Sequence, residues 1–225
     1  VAARWYREYL DTPPPGEAQA DINHRYAEVL FASQAFEQAI TEFERTAYSY
    51  PGYADAGDAG YFALVAYQAE QERLKAISER DAADEQALAA LGDLQQRKVR
   101  SGLMFASTFP AHERVPQVLY STTEDQLASG DIQGAVRTAG ILVNRQPPPD
   151  DAMLRYGWAT IANGEFDLAR YDVAEYAYNT LLTLPGLSDT EQNRYREQLA
   201  VSVYRQAETL RDQQGDMLAA AAMFM

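Results

Sequence analysis

The chain has 225 residues, 47% of them hydrophobic and 11% aromatic, which with a mean hydropathy of -0.41 excludes both a disordered chain and a membrane-embedded one. Thirty-three acidic residues against nineteen basic ones give a net charge of -14, a balance that repels a nucleic-acid backbone. With no cysteine and two histidines, disulfides, zinc ribbons and most metal and thiol chemistry are excluded as well.

Taken in chain order, Val1 to Leu10 reads as a helix carrying Trp5. It opens without Met or a leader, so the chain is expected to be an internal piece of a longer protein. Phe36, Ala39, Ile40, Phe43 and Ala47 form one apolar stripe, with Glu37, Gln38, Glu42 and Glu44 on other faces, the pattern of an amphipathic helix. An irregular pair of long helices follows, Ala54 to Glu79 and Asp84 to Thr108, closed by Pro110. Gly57 and Gly60 in the first of these allow close packing.

A shorter helix after Gly130 runs towards Pro147, and Asp150 and Asp151 head the next. Two extended helices span Tyr171 to Leu184 and Thr190 to Asp212, with Ser188 and Glu191 forming a capping box between them. Met217 to Met225 is apolar, lacks a stop signal and is far too short to span a bilayer; it reads as a helix cut partway along. No segment alternates with a period of two. The chain is all-α, with roughly nine to eleven helices.

A pattern recurs along these helices: a turn residue, then an aromatic or aliphatic, Ala and a large apolar residue at fixed offsets, then Pro. It appears as Phe36, Ala39, Phe43 and Pro51; as Gly130, Ile132, Ala135, Ala139 and Pro147; as Gly164, Phe166, Ala169 and Val173; and it begins again at Gly215, Met217, Ala220 and Phe224. Ala135 and Ala169 are 34 residues apart. The interval from Ala39 to Pro51 equals that from Ala135 to Pro147, and it recurs from Val1 to Pro13 with Trp5 as the large residue. These residues resemble the tetratricopeptide repeat family, whose unit is an antiparallel helix pair. The resemblance implies an all-α, right-handed α-α superhelix with some overlong helices, running as one continuous domain over residues 1–225. It also implies a small residue in the first helix of each pair, twelve before the second-helix Ala; Ala27 and Gly157 satisfy this, whereas Thr123 and Glu208 depart from it. The strings Tyr48 to Ala56 and Thr108 to Val115 resemble the aromatic-proline junction of bacterial envelope tetratricopeptide proteins, which implies a periplasmic or outer-membrane-associated location.

Catalytic chemistry finds little support. His24 and His112 have no partner at metal-ligand spacing and read as helix-surface residues. Asp84 with Glu85, Glu124 with Asp125, and Asp150 with Asp151 lie at helix starts or on polar faces, where dipole interaction and solubility account for them. No phosphate loop or nucleophile elbow is present, so no catalytic, cofactor-binding or metal-binding residue is assigned. Most tyrosines, among them Tyr61, Tyr67, Tyr171, Tyr176 and Tyr178, are expected to fill gaps between helices.

Tetratricopeptide proteins bind partners on the surface formed by the first helix of each pair. On that analogy the binding candidates are Arg25, Glu28, Asp125, Arg155, Trp158 and Arg205. The lysine-based clamp for a peptide carboxylate is unmatched, because His24, Arg25 and Glu28 occupy that face. The expected function is a non-enzymatic scaffold presenting a concave groove to a protein or peptide in a bacterial envelope assembly. The alternative is the helical, substrate-guiding part of a larger enzyme such as a peptidoglycan lytic transglycosylase. No cofactor, nucleic acid or transmembrane segment is expected, and the cut terminal helices, with Trp5, Met223 and Phe224, offer a route to oligomers.

Overall fold

The computed structural model describes residues 2–10, 17–50, 52–80 and 85–213. Among them are ten helices and no strand: α1 (Ala2–Leu10), α2 (Glu17–Ala32), α3 (Phe36–Ser49), α4 (Ala56–Arg80), α5 (Glu85–Thr108), α6 (Val115–Ala128), α7 (Ile132–Val143), α8 (Asp151–Asp167), α9 (Tyr171–Thr183) and α10 (Asp189–Gln213). The all-α expectation holds, and the long pair appears as α4 and α5. The pattern begun at Gly215, the apolar run from Met217 to Met225, and Pro13, Pro51 and Asp84 lie outside the described residues.

Packing divides the chain into two compact units, Val1–Val115 and Pro116–Met225. In the first, α1 packs on α2, α2 on α3, α3 on α4 and α4 on α5. The expected stripe of α3 supplies much of its core: Ala39, Ile40, Phe43 and Ala47 are buried against Tyr26, Ala27 and Leu30 of α2 and Ala59, Ala63, Ala66 and Tyr67 of α4. A buried amide ties α2 to α3: Asn23 Nδ2 donates to the Glu42 carbonyl and to Thr46 Oγ1, both at 2.9 Å. Gly60 lets α5 come close, since an added Cβ would stand 3.0 Å from the Phe105 ring.

In the second unit α7 packs on α8, α8 on α9 and α9 on α10. Thr138 of α7 donates to Gln126 Oε1 of α6 at 2.7 Å. Gly157 and Gly164, two turns apart on α8, face Val143 and Val136 of α7. That reversed order shows that α7 and α8 run antiparallel and approach closely. Ala139, Ala162, Ala174, Ala177, Tyr178 and Leu181 form the core between α7, α8 and α9.

One helix-turn-helix joint is used three times. The amide of Ala35 donates to the Leu30 carbonyl and that of Gln34 to Phe31; Asp131 donates to Gln126 and Gly130 to Leu127; Arg170 donates to Glu165 and Ala169 to Phe166. These are Schellman pairs, in which a left-handed residue satisfies the last carbonyls of the outgoing helix. Gln34, Gly130 and Ala169 supply it, with φ of 62°, 79° and 57°. Five residues further on, Ala39, Ala135 and Ala174 are fully buried. Edge-on aromatic pairs bracket the first and third joints, Phe31 with Phe36 at 5.3 Å and Phe166 with Tyr171 at 5.4 Å.

This geometry corrects the third copy of the sequence pattern. Ala169 is an exposed turn residue, and the buried alanine of that pair is Ala174, so the interval from Ala135 is 39 residues. The matching small first-helix residues are Ala27, Thr123 and Ala162, each fully buried. Gly157, expected in that role, instead brings α8 against α7.

Helix starts follow the expected chemistry. Asp131 accepts from Gly134 N and Asp150 from Met153 N, each at 2.8 Å. The capping box is present, with Ser188 N donating to Glu191 Oε2 at 2.8 Å and Glu191 N donating to Ser188 Oγ at 3.3 Å. That contact holds the Glu191 carboxyl below its ordinary pKa, through the Ser188 hydroxyl first and its amide second.

Candidate protein-binding surface

In the first unit the candidates Arg25 and Glu28 lie on the exposed side of α2. Arg25 Nε is 3.2 Å from Asp21 Oδ2, one turn earlier. His24 corrects the surface reading: it is 9% exposed, hydrogen-bonded through Nδ1 to the Tyr53 hydroxyl at 3.2 Å. The rings of Phe43, Tyr53 and Phe62 surround it at 5.8, 6.1 and 6.3 Å. Tyr53 belongs to the loop after α3, so this bond ties the exit of the α2–α3 pair back to its own first helix.

His112 does the same one pair later. Its Nε2 is 3.2 Å from Asp58 Oδ1, its ring meets Phe105 edge-on at 5.1 Å, and Gly57 of α4 makes room for it. The two loops also share their turns: Tyr53 N donates to the Tyr50 carbonyl and Ala56 N to Tyr53, as His112 N donates to Phe109 and Val115 N to His112.

In the second unit Arg155 is committed in a comparable way. Its Nη1 donates to the Pro185 carbonyl at 2.6 Å, lying against Gly186 in the loop after α9. Trp158 is half-buried beside the α8–α9 core and meets Tyr176 of α9 edge-on at 5.9 Å. Tyr176 itself is 64% exposed, unlike Tyr67 and Tyr178, which are buried as expected. Asp125 is half-buried on α6, and Arg205 on α10 pairs with Glu208 at 2.8 Å.

Arg155 and Trp158 therefore share one helix, and Arg25 and Glu28 another. Two aromatic features escaped the sequence reading. Tyr120 of α6 and Tyr156 of α8 lie with ring centroids 4.2 Å apart, and the Tyr156 hydroxyl is pushed up to about 12, first by burial and then by Glu124 and Tyr120. Phe62 on α4 is 42% exposed. The usable signal for Phe62 was its place one turn after Asp58 on a first helix.

The strongest polar cluster joins α3, α4 and α5. Glu44 Oε1 accepts from Tyr67 Oη at 3.1 Å and from Ser101 Oγ at 2.8 Å. Arg97 forks onto Glu37 at 3.0 and 3.2 Å and lies over the Tyr67 ring at 5.5 Å. Burial, then Glu44, pushes Tyr67 up to about 12. The Glu44, Tyr67 and Ser101 contacts are the part of this cluster withdrawn from solvent, where polar groups that satisfy one another hold helices in register, while the Arg97–Glu37 pair lies at the surface. Among the described residues no group of His, Asp and Glu could hold a metal ion, and no helix is long and apolar enough to cross a membrane. No protein-family model matches the chain, and no curated protein matches it.

Proposed function

We propose that this chain is a non-enzymatic protein-interaction scaffold of a bacterial envelope assembly, periplasmic or outer-membrane-associated. Its helix pairs are of tetratricopeptide type, forming an α-α superhelix whose first helices offer a binding surface to a protein or peptide. One observation supports this above the others: the same hydrogen-bonded joint at Gln34, Gly130 and Ala169, each followed by a fully buried alanine five residues later. A chain that repeats one hairpin stacks neighbours for stability and leaves first-helix side chains in fixed positions for recognition. The envelope setting rests on the resemblance of the strings Tyr48 to Ala56 and Thr108 to Val115 to the junctions of bacterial envelope tetratricopeptide proteins.

Selection from a random-peptide display library against the purified chain tests the reading. Enriched peptides should share a consensus and lose about tenfold in affinity on Phe62→Ala or Trp158→Ala, the loss expected of an aromatic anchor. Failure to enrich a consensus, or binding indifferent to both substitutions, overturns it.

A further inference from the structure

We infer that the face formed by α2, the start of α4 and residues 52–55 just before it binds an arginine- or lysine-bearing segment of a partner protein, its cationic side chain seated on Phe62. The inference rests on the scaffold reading and gives the partner a chemistry.

Phe62 is held as a platform. Phe43, itself buried, stacks on it at 5.8 Å and 28°, and His24 and Tyr61 meet it at 6.3 and 6.2 Å. A ring fixed on its inner side and 42% exposed offers solvent an apolar surface whose π face attracts cations. The chain covers neighbouring rings in this way. Arg114 lies 5.3 Å from the centroid of Tyr61 and Arg97 lies 5.5 Å from that of Tyr67; among the described residues no guanidinium covers Phe62.

The charge around the platform selects a cation. Asp58 stands one turn before Phe62 on α4, Asp21 and Glu28 stand two turns apart on α2, and Asp55 immediately precedes α4. The Tyr53 hydroxyl, which shares His24 with Phe62, is raised first by burial and then by Asp55, Asp21 and Glu28, with Arg25 alone opposing. Arg25 is paired with Asp21 and Asp58 faces His112, whereas among the described residues Glu28 and Asp55 enter no ion pair. A purely apolar occupant would strip water from those carboxylates without replacing it, and an anionic one would be repelled. An arginine or lysine side chain satisfies both ring and carboxylates, its methylenes on the ring and its charge towards Glu28 and Asp55.

The test uses the purified chain and a short synthetic peptide in which two arginines flank a leucine, beside the same peptide with citrulline at both positions. Calorimetry should give saturable binding of the arginine peptide, with shifts of the Phe62 and Tyr53 ring resonances in NMR. Citrulline, Phe62→Ala and the pair Glu28→Lys with Asp55→Lys should each weaken it by about tenfold. Phe62→Leu, which keeps an apolar contact without a ring, should weaken it as well, and thermal unfolding confirms that each variant folds. Equal affinity for the citrulline peptide would make this an apolar dock and overturn the inference. So would absence of binding, or attraction that survives Phe62→Ala and only fades with salt. If display-selected peptides still bind through Phe62 or Trp158 while the arginine peptide does not, the cationic partner falls and the scaffold stands; if neither binds, both fall.

Discussion

Gly130 and Ala169 occupy the same place in two helix hairpins. Each is the left-handed residue that ends a first helix, with φ of 79° and 57°, and each donates its amide to the carbonyl three residues back while the next amide reaches five residues back. One position is filled by the residue that adopts this conformation without cost and the other by one that does not.

Ala169→Gly is therefore expected to stabilise the protein. A left-handed L residue costs roughly 1–2 kcal/mol, offset in part by the roughly 0.4–1 kcal/mol of unfolded-state freedom that glycine adds. The net gain should be about 0.5–1 kcal/mol. Gly130→Ala, where an added Cβ meets nothing within 4 Å, isolates the backbone effect and should lose about 1 kcal/mol. Urea denaturation of both variants decides; an unchanged or lowered midpoint for Ala169→Gly counts against the joint as described.

Gly134 is held for a different reason. An added Cβ would strike the Asp131 carboxylate and stand 2.5 Å from Gln126 Nε2. It would thereby disturb both the cap of α7 and the Gln126–Thr138 bond. Gly134→Ala should cost about 2 kcal/mol or more, against about 1 kcal/mol for Asp131→Ala alone. Because the two changes share one carboxylate, the double variant should lose less than the sum. Full additivity would show that Asp131 and Gly134 act separately.

Helix positions were legible because apolar periodicity, capping residues and prolines act within a few residues of themselves. The register of the third pair was not. Gly164 fits the pattern of a turn glycine, yet it serves the approach of α8 to Val136, while the turn falls on Ala169, whose left-handed backbone has no side-chain signature. The binding candidates divide along the same line. Arg25 and Arg205 meet acids one turn away, visible as i,i+4 and i,i+3 spacing. His24 and Arg155 are fixed by Tyr53 and Pro185, at separations of 29 and 30 residues, which no local pattern discloses.

Tyr67 should contribute to an alkaline limit of the fold. Its folded-state pKa is pushed up to about 12 from an ordinary 10.0 by burial and the Glu44 carboxylate, so the folded protein holds that proton more tightly than the unfolded chain. Its contribution is therefore fully present below pH 10 and is lost as pH rises from 10 towards 12. Tyr67→Phe should cost about 1 kcal/mol at neutral pH through the lost bond to Glu44 and should flatten the decline between those values. Denaturant midpoints across that range, with phenolate absorbance followed in parallel, provide the check; an unchanged slope would assign the alkaline loss to other tyrosines.

Arg155 separates a structural role from a binding one. Its guanidinium reaches across from α8 to the Pro185 carbonyl and lies against Gly186, whose φ of 86° shapes the loop into α10. Removing it leaves an exposed carbonyl that water can satisfy, so the global loss should be small, about 0.5–1 kcal/mol. The local effect should be larger: amides from Leu187 to Gln192, including those of the Ser188–Glu191 capping box, should exchange with solvent several-fold faster in Arg155→Ala, by the logic of local opening. Amides of α6 and α7 should be unaffected. Gly186→Ala, which would place a Cβ 2.6 Å from Arg155 Nη1 and an L residue at a φ of 86°, should speed the same amides further, because backbone strain adds to the displaced arginine. If exchange at Leu187 to Gln192 stays at the parent rate in Arg155→Ala, the contact does not hold the loop, and the arginine is available to a partner instead.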